Sequence, residues 1–146
     1  SALENRQLIC FESELRHIET YLKLEKLRLG EKLNIVYDIQ AREFMLPPLT
    51  IQPLVENAVK HGIFNQPGGG EVILRTRQEA EHIIISVEDN GIGFDPDMPL
   101  KQDEEHAHVG LTNVRSRLQK MTGGQMMIQS TLGKGTKVTV RISTDL

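Results

Sequence analysis

One stretch constrains this chain more than any other. The apolar run His82-Ile83-Ile84-Ile85-Ser86-Val87 passes directly into Glu88-Asp89-Asn90-Gly91-Ile92-Gly93-Phe94-Asp95. The apolar run has the length and β-branched content of a buried strand. The strand therefore delivers a carboxylate, Asp89, to its own end, and two glycines follow with one residue between them. Gly91 and Gly93 tolerate positive φ and admit close backbone approach. A fixed carboxylate beside a bare turn can accept a hydrogen bond from the amino group of a base that packs on that turn. Asp-Asn-Gly is also an ordinary way to end a strand. On this stretch alone both readings are open.

Three further stretches bear on the choice. Leu49 to Gly62 carries Leu54, Val55, Ala58 and Val59 at helical spacing. Asn57, Lys60 and His61 stand three and four residues apart, which groups them on the opposite face. An amide oxygen at Asn57 suits Mg²⁺, and an ammonium at Lys60 suits phosphate. An ordinary amphipathic helix with a polar face has the same pattern. Val109 to Leu118 reads as a helix opened by Gly110, with Leu111, Val114, Leu118 and Met121 on one face. Free N–H groups at such a start suit phosphate oxygens. Gln125 to Ser130 and Thr136 to Ile142 read as strands joined by Thr131-Leu132-Gly133-Lys134-Gly135, with Val138, Val140 and Ile142 facing the core.

The remaining segments frame these four. Phe11 to Leu29 reads as a helix with Phe11, Leu15, Ile18, Leu22 and Leu29 inward and Gly30 as C-cap; Glu12, Glu14, Arg16, Glu19 and the nearby cations form its solvated face. His17 reads as a surface histidine of that helix. Leu33 to Ile39 alternates as a half-buried strand. Pro47-Pro48 breaks the chain before the next helix. The triple glycine Gly68-Gly69-Gly70 reads as a flexible connection; no Gly-Lys-Ser/Thr follows it, so it is no P-loop. Glu71 to Arg77 and Glu81 to Asp89 read as an antiparallel pair. Pro96 to His108 shows no hydrophobic period and reads as a polar lid or loop. Its Asp103, Glu104, Glu105, His106 and His108 superficially suggest a metal site, but mobile acidic loops carry the same residues. Arg115 and Arg117 read as surface cations.

The whole-chain properties exclude several classes. With 146 residues, 38% hydrophobic and 25% charged, the chain supports one globular domain. A net charge of −3 without a basic stripe argues against nucleic acid as a partner. No apolar run reaches membrane-spanning length. The single cysteine, Cys10, excludes an internal disulfide and suits a reducing compartment.

Taken together, the four stretches resemble the Bergerat ATP-binding fold of sensor histidine kinases, DNA gyrase B subunits, Hsp90 and MutL. Asn57 to His61 resembles the N box, Asp89 to Gly93 the first glycine box, Gly110-Leu111 the second, and Gly133 to Thr136 the final Gly-Thr element. More narrowly, Leu46-Pro47-Pro48, Gln52 to Gly62, Glu14 to Leu22 and Gly110 to Leu118 are similar to LytS-type sensor histidine kinases.

The resemblance implies an α/β two-layer sandwich, a mixed sheet covered on one face by helices. It implies that Asp89 holds the adenine amino group with support from Thr136, and that Asn57 ligates Mg²⁺. Lys60 and His61 would lie near phosphates or ribose, Gly91 and Gly93 would keep the base pocket open, and the backbone of Gly110 and Leu111 would meet phosphate. Gly133, Gly135 and Thr136 would close the site, and Phe94 to Val109 would be the ATP lid. Residues 1–30 are expected to lead in from a dimerisation and phosphoacceptor region, and residues 31–146 to form the ATP-binding catalytic domain. The implied partners are ATP, the kinase's own upstream helices and a response regulator. The implied setting is the cytoplasmic part of a homodimeric bacterial membrane sensor.

Two departures from the family pattern matter. ATP-hydrolysing relatives carry a glutamate four residues before the N-box asparagine, where this chain has Pro53. Water needs such a base and a neutral imidazole needs it less, so the difference favours a histidine acceptor. No Pro-His-Phe-type acceptor segment precedes Phe11. The expected activity is therefore transfer of the γ-phosphoryl of Mg-ATP to a histidine outside this stretch. The alternative is a nucleotide-binding regulatory module or slow ATPase.

Overall fold

The computed structural model describes residues 8–146. A two-residue strand β1 (Ile9–Cys10) leads into helix α1 (Phe11–Leu29), as the four-and-three spacing requires. Gly30 caps α1 at φ 59°, donating its N–H to Lys26 O. A short 3₁₀ turn leads to β2 (Leu33–Ile39), then β3 (Met45–Leu46) pairs back on β1. Helix α2 (Gln52–Asn57) has Pro53 in its first turn and continues into a π-helical segment, Ala58–Ile63. Strands β4 (Gly70–Glu79) and β5 (His82–Asp89) form a hairpin, α3 (Gln102–Thr122) crosses over, and β6 (Gln125–Thr131) with β7 (Gly135–Ser143) closes the chain.

The main sheet runs β2-β4-β5-β7-β6, with β2 parallel to β4 and every other pair antiparallel. This is the mixed sheet expected. Strand alternation sends Val72, Leu74, Ile83, Ile85, Val87, Val138, Val140 and Ile142 to one face, where all are buried. That face packs on Phe11, Ile18 and Leu22 of α1, Leu54 and Val55 of α2, and Leu111, Val114 and Leu118 of α3 in one continuous core. Burying each of these large side chains stabilises by about 1.5–3 kcal/mol. The opposite face carries charge: Arg75 pairs with Glu88 at 2.6 Å and lies 3.8 Å from Asp38.

Four expectations are corrected. Glu14 is not on the solvated face of α1: it is only 1% exposed, and its carboxylate accepts the backbone N–H groups of Thr50 and Ile51. Burial raises its pKa, while those amides hold it down. The carboxylate thus satisfies amide donors that the start of α2 leaves without intrahelical partners. Arg117 is not a free surface cation: its Nη2 donates to Leu49 O, holding the left-handed bend at Leu49, φ 59°. Two of the three glycines, Gly69 and Gly70, are packed, while Gly68 faces open space. A Cβ at Gly69 would sit 2.2 Å from Lys32 O, and one at Gly70 2.3 Å from Asn90 Oδ1.

The fourth correction concerns the polar segment before Gly110. Residues from Gln102 onward are already helical, so α3 starts eight residues earlier than expected. At its start the Glu104 carboxylate accepts the backbone N–H of Lys101 at 3.2 Å. A solvated helix need not show strong hydrophobic periodicity, and this one is made instead by its cap and by joining an amphipathic continuation.

Candidate functional site

A narrow cleft opens between α2, the first turns of α3 and the ends of β5 and β7. Asn57, His61, Asp89, Gly93, Leu111 and Thr136 line it, along with Leu54, Ala58, Ile92 and Phe94. The sheet register accounts for the meeting of distant residues. Asp89 is the last residue of β5 and lies directly across from Thr136, near the start of β7.

Asp89 is 7% exposed. Its Oδ1 accepts the N–H of Gly91 at 2.9 Å. Burial raises its pKa from 3.8 to about 6, against the downward pull of the Gly91 and Thr136 amides. At neutral pH it is therefore largely an ionised acceptor in an apolar-walled cleft.

Backbone fences this carboxylate closely. A Cβ on Gly62 would lie 2.6 Å from Asp89 Oδ1, and one on Gly91 would lie 2.4 Å from the Gly62 backbone. Gly91 is needed for that approach, whereas Gly93 also has positive φ, 61°.

The N-box stretch departs from a regular α-helix. Phe64 N–H reaches back five residues to Val59 O at 2.8 Å, as a π turn requires. Asn57 and His61 line the cleft, but Lys60 does not. Lys60 points to solvent, with a side chain 57% exposed and 3.7 Å from Glu56. The shared face expected from α-helical spacing is thus divided by the wider turn.

Asn57 Nδ2 donates to Ala107 O of α3 at 3.4 Å. Gly110 lies inside α3, where a helical N–H is committed to the carbonyl four residues back. It does not open the helix, and it does not line the cleft, although Leu111 does. Leu100, Glu104, Ala107 and His108 line the cleft as well, and it offers only about 60 Å³ of room. Small-molecule pockets commonly offer about 300–1,000 Å³. With the start of α3 as one wall, the cleft is smaller than a ligand of that size needs.

The β6–β7 hairpin completes the site. Gly133, at φ 83°, donates to Ile92 O at 2.6 Å, and a Cβ on Gly135 would fall 2.0 Å from Asp89 O. Ser130, to which the sequence assigned no role, stands opposite Thr136 and bonds to it. Gly62 likewise has no role in the sequence reading beyond ending the N-box stretch. The hairpin register, centred on Leu132 to Lys134, is the signal that pairs Ser130 with Thr136. Nothing local marks Gly62, because its neighbour Asp89 is distant in sequence.

Comparisons with known proteins agree with this geometry. Residues 48–146 match the family described as histidine kinase-, DNA gyrase B-, and HSP90-like ATPase. The chain is 34% identical over 140 residues to sensor histidine kinase YpdA of Escherichia coli, covering 93% of this chain and 25% of that protein. It is 32% identical over 142 residues to sensor protein LytS of Streptococcus agalactiae, covering 92% and 24%. Uncharacterized protein YwpD of Bacillus subtilis is 41% identical over 136 residues, covering 90% and 49%. The chain therefore spans between about a quarter and a half of these relatives.

Among solved structures, the catalytic domain of histidine kinase ThkA superposes with a TM-score of 0.68 at 12% identity, covering 94% of both chains. Histidine kinase AdeS of Acinetobacter baumannii gives 0.65 at 19%, covering 96% of this chain and 68% of that one. These likenesses establish the α/β fold. With its cleft, its glycine turns and its match over residues 48–146, the chain belongs to the histidine kinase-, DNA gyrase B- and HSP90-like ATPase family.

Proposed function

We propose that this chain is the ATP-binding catalytic part of a LytS-type sensor histidine kinase and supplies the γ-phosphoryl of Mg-ATP to a histidine in an upstream segment. The observation that carries the reading is Asp89: a buried acceptor lining a cleft, with Thr136 across the sheet and glycine backbone on two sides. A purine amino group satisfies that acceptor while the ring packs on Leu54, Ala58 and Ile92.

Asn57 fits the one protein ligand that Mg²⁺ needs when phosphates and water supply the rest. Its amide nitrogen turns to Ala107 O, which leaves Oδ1 for the metal. Mg²⁺, when bound, supplies charge neutralisation at the phosphates. His61, which lines the cleft, meets ribose or phosphate in this reading, and Lys60 reaches phosphate only by leaving Glu56. Gly91, Gly93, Gly133 and Gly135 shape the base end of the cleft. Gly110 and Leu111 meet phosphate only if the preceding turns of α3 unwind and free their N–H groups. Residues 94–109 act as the lid in this reading.

Pro53 leaves water without the base that hydrolysis uses, so transfer to imidazole is favoured over turnover. The relatives' greater length supports an acceptor elsewhere. His82 lies at the far end of β5 from Asp89, and His17 is exposed on α1. Residues 1–30 then connect to upstream dimerisation helices, and residues 31–146 form the ATP-binding domain. The full-length kinase is a homodimeric bacterial membrane sensor that passes phosphate to a response regulator, with this part in the cytoplasm. Among the described residues no helix is long and apolar enough to cross a membrane.

The test is incubation with γ-labelled Mg-ATP. A chain extended upstream through the acceptor helix should gain acid-labile label, and residues 1–146 alone should bind nucleotide without gaining it. An extended chain that binds Mg-ATP but stays unlabelled overturns the kinase reading.

A further inference from the structure

We infer that Ser130 is a positioning residue that sets the nucleobase specificity of the cleft by fixing which way the Thr136 hydroxyl points. The inference rests on the adenine reading of Asp89 and deepens it.

Ser130 Oγ makes three contacts. It receives the N–H of Phe94 at 2.8 Å, lies 3.1 Å from Gly135 O, and lies 2.8 Å from Thr136 Oγ1. A serine hydroxyl has one proton and two acceptor positions. The Phe94 amide can only donate, and the Gly135 carbonyl can only accept. The serine proton therefore goes to Gly135 O, and Thr136 must donate its own proton to Ser130. This is the one assignment in which all three contacts are hydrogen bonds.

The direction of that proton has a chemical consequence. Thr136 borders both the inner cleft and a polar outer cleft, whereas Ser130 borders only the outer one. With its proton turned outward to Ser130, Thr136 offers the inner cleft only lone pairs. Asp89 offers an ionised carboxylate beside it. This part of the cleft then displays acceptors and no hydroxyl donor.

A 6-amino purine presents N–H groups to both. A 6-oxo purine can present N1–H to Asp89, but its O6 then faces a lone pair. If the Thr136 hydroxyl could rotate, it would donate to O6 and the 6-oxo base would be accepted. Ser130 prevents that rotation. Specificity here comes from a repulsive element as much as from an attractive one.

Ser130 also ties this lock to the lid hinge. Phe94 begins the segment leading to α3, and Gly133 N–H holds Ile92 O on the same side. The hinge and the hydroxyl orientation are thus set by one side chain.

Calorimetric titration with ATP and with inosine triphosphate tests this. The unmodified chain should bind ATP tighter by about tenfold or more, the scale of one buried polar group left unpaired. In Ser130→Ala, a water entering from the outer cleft is free to turn, and the Thr136 proton is released. Inosine triphosphate should then bind tighter than it does to the unmodified chain, and the ratio should fall about tenfold. Ser130→Thr keeps the hydroxyl and should keep the ratio. A merely structural serine predicts equal loss of both nucleotides in Ser130→Ala, and that result overturns the inference. If Ser130→Ala does not fold, Thr136→Val, which removes the same lone pairs, must narrow the ratio or the inference fails. Failure of the unmodified chain to bind either nucleotide sinks the adenine reading together with this one. A chain that binds ATP with an unchanged ratio in both variants sinks this one alone.

Discussion

Asp89→Asn separates binding from stability, and the structure predicts that the two move in different directions. The native carboxyl is buried enough that its pKa rises from 3.8 to about 6. That displacement corresponds to about 3 kcal/mol. The sign follows from linkage. A carboxyl whose folded pKa is raised favours the folded state most when protonated, below pH 3.8. The advantage is lost as pH climbs through about 6, so at pH 7 the ionised group opposes folding by the full amount.

Asparagine removes the charge and with it that opposition. It also loses one acceptor near the Gly91 and Thr136 amides, at a cost of about 1–3 kcal/mol. The net change at pH 7 lies between zero and about 2 kcal/mol of added stability. Binding moves the other way, because an amide nitrogen turned to the base sets donor against donor. Loss of about 1–3 kcal/mol of binding lowers affinity by roughly 5- to 150-fold. Thermal unfolding at pH 7 together with calorimetric ATP titration reads both effects. The native chain should also lose ATP affinity as pH falls through about 6, while the variant shows no such step. A variant destabilised by more than about 2 kcal/mol, or one binding ATP like the native chain, refutes the reasoning.

Three other outcomes follow from the same geometry. Asn57→Ala should weaken binding of Mg-ATP far more than binding of ATP in EDTA, because the lost group is a metal ligand; titrations with and without chelator compare them. Mg-ATP should speed amide hydrogen exchange over residues 105–110, because the start of α3 walls the cleft and these amides are already spent within the helix; slower exchange there would mean that the helical turns persist in the complex. Glu14→Ala should lower stability by about 3 kcal/mol in chemical denaturation, because two buried amides at Thr50 and Ile51 lose their acceptor.

The elements of the fold were legible in the sequence because each carries its own period. Phe11, Leu15, Ile18 and Leu22 recur at helical spacing and are all buried, and β2 has the bounds its alternation implies. The candidate site was legible for a related reason. A carboxylate at a strand end, an Asn three and four residues from a Lys and a His, and a glycine hairpin are local patterns, and Asn57, His61, Asp89, Leu111 and Thr136 do converge.

What the sequence could not reveal depends on neighbours far along the chain. Glu14 reads as solvated because its own helix surrounds it with charge, and only packing of α1 against residues 50 and 51 buries it. Lys60 reads as a partner of Asn57 because α-helical spacing was assumed, and a π turn redirects it. Gly110 reads as a helix start because glycine breaks helices locally, yet α3 already starts at Gln102, where Glu104 accepts the Lys101 N–H. The crowding of Gly62 against Asp89 exists only because the helical segment Ala58–Ile63 packs against the end of β5, whereas Ser130 meets Thr136 through the β6–β7 hairpin register. Local sequence determined secondary structure and the residues that could carry the chemistry. The tertiary structure decided which carboxylate is buried and which cation faces water. Burial and most of these hydrogen-bond partners come from chain segments that the sequence places far apart.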